Sequence, residues 1–183
     1  MKTSILAMAA VLAATAALPA AAQTATGNVA INGSVGDRCQ FTLPSDVINA
    51  GELSQQGSGS NAGKLDPSKL DGQTRTLQGW CNGTAATMSV EAQRLVDTTF
   101  TTTPPAGFDR VVNYTATATA NSANATDTSV TDGAGTAVPV GMFTGDVQVT
   151  LSNSSSPTAG LLVAGDYSGQ VLVTLTPSVT PAP

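Results

Sequence analysis

Apolar and polar residues alternate with period two along much of this chain, the spacing of strands with one buried face. In residues 27–35, GNVAINGSV, Gly27, Val29, Ile31, Gly33 and Val35 share one face and Asn28, Ala30, Asn32 and Ser34 the other. A one-sided strand of this kind either closes the sheet of its own domain or adds to the sheet of a neighbour. A second extended piece at 39–43 sets Cys39, Phe41 and Leu43 on one side and stops at Pro44. Residues 47–53 predict a short strand broken at Gly51, and residues 54–72 a Gly/Ser/Asn-rich loop with at most one helical turn around 67–70.

Alternation returns at 74–81, with Arg75, Leu77, Gly79 and Cys81 on one face and Thr76, Gln78 and Trp80 on the other. Asn82 and Gly83 predict a hairpin turn into 86–95, where Met88, Val90 and Ala92 point inward. Residues 108–119 alternate again, setting Val112, Tyr114, Ala116 and Ala118 against Val111, Asn113, Thr115 and Thr117. A polar loop is expected over 121–135. Val138, Val140 and Met142 predict a strand whose hairpin partner, across Gly145 and Asp146, carries Val147, Val149 and Leu151. After a loop at 152–160 and a short apolar run at 161–163, residues 167–176 place Tyr167, Gly169, Val171, Val173 and Leu175 on one face. Pro177, Pro181 and Pro183 end the ladder. Eight to ten short strands without an amphipathic helix make the expected fold class all-β, an antiparallel β-sandwich with an edge strand that needs a partner or protection.

The first 22 residues change the picture. One charge, Lys2, precedes an apolar run from Ile5 to Leu18 and the small residues Ala20, Ala21 and Ala22, the layout of a secretory signal peptide cleaved between Ala22 and Gln23. The run is short of the roughly 20 residues of a membrane span. The expected organisation is a signal peptide at 1–22, an N-terminal donor-type strand at 23–36, a sandwich domain at 37–177 and a Pro-rich tail at 178–183. Without the signal, six basic residues face twelve acidic ones, a net charge near −6. That balance argues against nucleic acid and against anionic membrane surfaces, because no basic cluster exists to neutralise phosphates. In an exported chain the pair Cys39 and Cys81 reads most simply as a disulfide, two free thiols being the alternative.

Four stretches together resemble the spore coat protein U domain family and the related pilins of archaic chaperone-usher systems. They are the pair Cys39 and Cys81, the INAGEL segment from Ile48 to Leu53, the CNGT from Cys81 to Thr84, and the ending AGDYSGQVLVTLTP from Ala164 to Pro177. The resemblance implies an immunoglobulin-like sandwich that lacks one strand, is capped by a periplasmic chaperone, and polymerises when the N-terminal extension of the next subunit fills the groove. It implies Val29, Ile31 and Val35 as donor positions, a Cys39–Cys81 disulfide, and an assembly edge at Val171, Val173 and Leu175. The chain departs from the family pattern in lacking an aromatic residue near INAGEL and in running past its last strand into the Pro-rich tail.

Histidine is absent, which removes Ser-His-Asp and Cys-His machinery together with any His-containing zinc site. The acidic residues are scattered through turns, where Asp bonds its own backbone. A calcium site at Asp127 and Asp132 competes with the simpler reading of a solvated loop, since EF-hand spacing is missing. Trp80 reads as core or covered edge in preference to an exposed recognition ring. With the one-sided N-terminal strand and the C-terminal resemblance, the expectation is a non-enzymatic, cofactor-free and metal-free structural subunit of a bacterial surface fibre or coat. Its partners would be like subunits and a periplasmic chaperone and usher, and it would be secreted through the periplasm to the cell surface or the extracellular space. A monomeric secreted binding module, for carbohydrate or adhesion, is the alternative.

Overall fold

The computed structural model describes residues 23–178, so the expected signal peptide at 1–22 and residues 179–183 of the expected tail lie outside the described residues. The described chain falls into two units, residues 23–34 and residues 35–178. The first contains no strand, and its Val29 and Ile31 are 84% and 92% exposed. Val35, which opens the second unit, is 86% exposed. An extended segment becomes a strand only when a ladder satisfies its backbone groups, and residues 27–35 have no such ladder among the described residues.

The second unit is all-β. Its strands are β1 (Cys39–Leu43), β2 (Thr74–Cys81), β3 (Thr87–Asp97), β4 (Phe108–Asp109), β5 (Val111–Ala120), β6 (Ala123–Thr128), β7 (Val138–Pro139), β8 (Phe143–Ser155), β9 (Leu161–Leu162) and β10 (Tyr167–Thr176). The helical turn expected near 67–70 is a 3-10 turn at Pro67–Lys69, capped by the Asp66 side chain. The main ladder runs β1-β2-β8-β5-β3-β10, with β6 added to β5 and β7 to β3, and every pairing in it is antiparallel. Strand β5 changes layers: Val111 and Val112 pair with β3, and from Asn113 onward the strand pairs with β8 and β6. The two layers bury their alternating faces against each other as a sandwich. Met88, Val90 and Ala92 of β3, Val112, Tyr114, Ala116 and Ala118 of β5, and Val147 and Leu151 of β8 form the core, each at most 4% exposed.

Four local expectations are corrected. Asn82 and Gly83 do not make a hairpin, because β2 pairs with β1 and β8 whereas β3 pairs with β10, β5 and β7. Asn82 instead ties the connection to the start of β1, accepting from the Arg38 N–H at 2.6 Å and donating to the Gly36 carbonyl at 3.1 Å. Gly145 and Asp146 are not a turn either; both lie inside the long β8, while Val138 pairs with Met88 of β3 and Met142 is 59% exposed. The expected polar loop at 121–135 holds β6, reached from β5 through Asn121 and Ser122, both with positive φ (47° and 65°). That is the backbone of a two-residue hairpin turn, built without glycine. Finally, residues 47–53 form no strand. Asp46 turns its carboxylate onto the Val47 N–H at 2.7 Å and Gly51 sits at φ 66°, so the segment is bent away from ladder geometry.

The last strand begins at a cluster that accounts for the AGDY sequence. The Asp97 carboxylate accepts from the Thr99 N–H and hydroxyl and from the Phe100 N–H, and a Cβ at Gly165 would lie 2.4 Å from it. Only glycine permits that approach. The Asp166 carbonyl accepts from Thr98, and the Tyr167 hydroxyl donates back to the Val163 carbonyl at 2.9 Å, a tyrosine corner of the kind that fixes the entry to sandwich strands.

Candidate functional site

Where β10 faces the β1 and β2 edge, the sandwich is unfinished. Among the described residues strand β10 lies at the end of the ladder, paired only with β3, and β1 covers only part of β2, its last pair being Leu43 with Gln78. The Leu151 N–H donates to the Gln73 carbonyl at 2.9 Å. By alternation Arg75 and Leu77 direct their backbone groups at β8, and Thr74 and Thr76 direct theirs at the opposite edge. No strand among the described residues pairs with Thr74 or Thr76 on that side.

Between these two edges lies an apolar groove of about 410 Å³. Leu77, Val149 and Leu151 line it from one layer and Leu95, Val171 and Val173 from the other, with Tyr114 of the first layer reaching across to the second. Residues 44–50 lie along its mouth. Phe41, Leu77, Val171, Val173 and Leu175 are only half-buried although all face inward, and Leu172 at the rim is 37% exposed. Further along the same face the slot narrows, with Gly79 against Phe41 and Leu175. A Cβ at Gly79 would stand 3.1 Å from both the Gln40 carbonyl and the Phe41 ring.

The Cys39–Cys81 disulfide is present and joins directly opposite residues of β1 and β2, holding β1 as one wall of this region. Between Ser168 and Gln170 the register slips by a bulge that sets Arg94 and Leu95 of β3 against the single Gly169 of β10, where a Cβ would lie 2.9 Å from the Gln93 and Arg94 carbonyls. The Tyr114 hydroxyl sits at the same point, 2.6 Å from the Gln93 carbonyl and 3.0 Å from that of Gln170, sharing its proton between them. Burial pushes the Tyr114 hydroxyl up to about 12, with the Asp127 carboxylate adding to the effect.

The expected assembly residues Val171, Val173 and Leu175 thus share the inward face of one unpaired edge, and Cys39 and Cys81 brace the other. The expected donor residues Val29, Ile31 and Val35 are exposed. Trp80 is half-buried on β2, on the face opposite Cys81. Asp127 and Asp132 are not brought together as a calcium site. The Asp127 carboxylate accepts from the Ala92 N–H at 2.8 Å, whereas Asp132 pairs with Arg94 at the surface. Missed from the sequence were Arg75 as a groove residue, Asp127 as an inter-layer bond, and residues 44–52 as a cover. For Arg75 a signal existed, since it is a charge placed on the apolar side of an alternating strand. No family model matches the chain, and neither a curated protein nor a solved structure matches it.

Proposed function

We propose that this protein is an exported structural subunit of a surface fibre or coat, joined to like subunits by strand addition. The groove between β2 and β10 takes residues 27–35 of a second copy. One observation carries this reading: the same chain holds an apolar groove between two unpaired sheet edges and an exposed segment with one apolar face. Nine extended residues span about 30 Å, close to the length of the ten-residue β10. An entering strand would satisfy the edge groups of Thr74 and Thr76 and of β10 while burying Val29, Ile31 and Val35. Each such apolar side chain contributes about 1.5–3 kcal/mol when fully buried. Export is expected from the first 22 residues, and the disulfide fits an oxidising compartment. In transit a periplasmic chaperone strand would protect the same edge, because an open apolar groove invites aggregation.

The test is gel mobility of the exported protein, unheated and boiled, for the wild type and for a variant carrying Val29→Asp and Ile31→Asp. A ladder that resists detergent until heated, and that the variant lacks while remaining folded, is the expected result. A wild-type protein that runs as a compact monomer in both lanes, at any concentration, would overturn the proposal.

A further inference from the structure

Residues 44–52 belong to no ladder, and 44–48 with Ala50 line the part of the groove that β1 leaves uncovered. Within this strap Ile48 and Ala50 are half-buried against the groove, while Val47 is 64% exposed. One side chain holds it by hydrogen bonding. Arg75 Nε donates to the Val47 carbonyl at 2.7 Å, and Nη1 of the same guanidinium donates to the Thr74 carbonyl at 2.6 Å. The Asp46 carboxylate lies 3.8 Å from Nε. Thr74 directs its carbonyl at the unpaired edge of β2, so Arg75 occupies an acceptor that an added strand would need.

We infer that Arg75 is the latch of a strap formed by residues 44–52, which closes the groove in the free subunit and is released by the strand that enters. Both functions sit on one planar fork, which explains why arginine suits the position better than lysine. When an entering strand takes the Thr74 carbonyl, the guanidinium leaves, the Val47 carbonyl loses its donor, and the strap is free to lift, drawing Ile48 and Ala50 out of the groove. Until then an inward-pointing charge guards the edge against indiscriminate pairing, a device used on exposed sheet edges. The identity of the entering strand rests on the proposal above; the latch itself does not.

Limited proteolysis of the whole exported chain tests the latch, read as the rate of nicking within 44–52 by a protease that cuts after small aliphatic residues, with nicking in β5 and β8 as the control. Arg75→Gln is expected to speed nicking in 44–52 about tenfold or more, the effect of losing a charged hydrogen bond on the opening of the strap, and to leave the control strands protected. Asp46→Asn should change little, because the ion pair is solvent-exposed. Wild-type nicking in 44–52 of an otherwise intact Arg75→Gln protein would overturn the inference, since packing of Ile48 and Ala50 would then hold the strap alone. Should Arg75→Gln lose protection throughout, Arg75→Lys is read by the same criterion. A synthetic peptide of residues 23–36 separates the two proposals. Faster capture by Arg75→Gln than by the wild type supports both. Faster strap nicking with no capture by either form keeps the latch and removes the fibre reading.

Discussion

Strand β3 and strand β10 both present an incompletely paired edge, yet one is sealed and the other is open. Along the edge of β3 that faces β5, strand pairing exists only at the ends, to β7 at Met88 and to β5 at Leu95 and Val96. Between them, Val90 accepts from the Gly135 N–H at 2.8 Å, Ala92 donates to the Asp127 carboxylate, and Gln93 accepts from Tyr114. A loop glycine, a carboxylate and a phenol substitute for the missing strand. Met88, Val90 and Ala92 accordingly fall to 3% exposure or less. Across the groove, the corresponding substitutes are only Arg75 and the strap, and Val171, Val173 and Leu175 stay half-buried. Identical alternation therefore yields two levels of burial. What differs is whether the polar edge is satisfied from within the chain.

The contrast is sharpened most by the disulfide, which braces the open side. Replacing Cys39 and Cys81 with serine should lower stability by about 4 kcal/mol in the chain-entropy account, read as a fall in urea midpoint. A loss under about 1 kcal/mol would mean that β1 is held by its ladder alone. Next, Met88→Ala on the sealed side should cost about 3 kcal/mol, and Leu175→Ala on the open side about 1 kcal/mol in the monomer. Equal costs in chemical denaturation would break the comparison. Asp127→Ala should cost about 1–3 kcal/mol, because it strands the buried Ala92 N–H, and should raise hydrogen exchange at Ala92 more than at Leu172.

The smallest effects are those of pH. The Thr99 hydroxyl holds the Asp97 carboxyl below its usual range, against desolvation, with the Phe100 and Thr99 N–H groups and the Arg110 charge assisting. The folded state therefore binds fewer protons than the unfolded one, and this contribution is complete above the ordinary aspartate range. It is lost as pH falls from about 4 toward the lower folded value. Asp97→Asn should flatten that acid limb in pH-dependent melting. At the alkaline end the sign reverses for Tyr114, whose folded pKa of about 12 exceeds the unfolded value, so stability falls as pH rises from about 10 to 12. Tyr114→Phe should remove part of that alkaline slope.

Legibility in the sequence followed the range of the interaction concerned. Residues 167–176 were readable to the residue as the last strand, and Met88, Val90 and Ala92 as inward-facing, because period-two alternation is local to each strand. Turns were read less well. Asn82–Gly83 has the composition of a hairpin turn, but the neighbouring strands join different layers, and Asn121–Ser122 makes the hairpin without the expected glycine. The long β8 absorbed Gly145 at a positive φ, which sequence alone reads as an end.

By itself the sequence determined an all-β chain, the faces of its principal strands, the absence of histidine chemistry, and a cysteine pair suited to bridging. These follow from residue type and spacing within a few positions. Tertiary structure alone decided that β2 and β3 part company, that Asp127 and Tyr114 seal one edge, and that Arg75 with residues 44–52 covers the other. The reason is physical. A side chain's face is set by its own strand, but whether a backbone edge is satisfied depends on groups brought in from distant parts of the chain, as Asp127 is to Ala92.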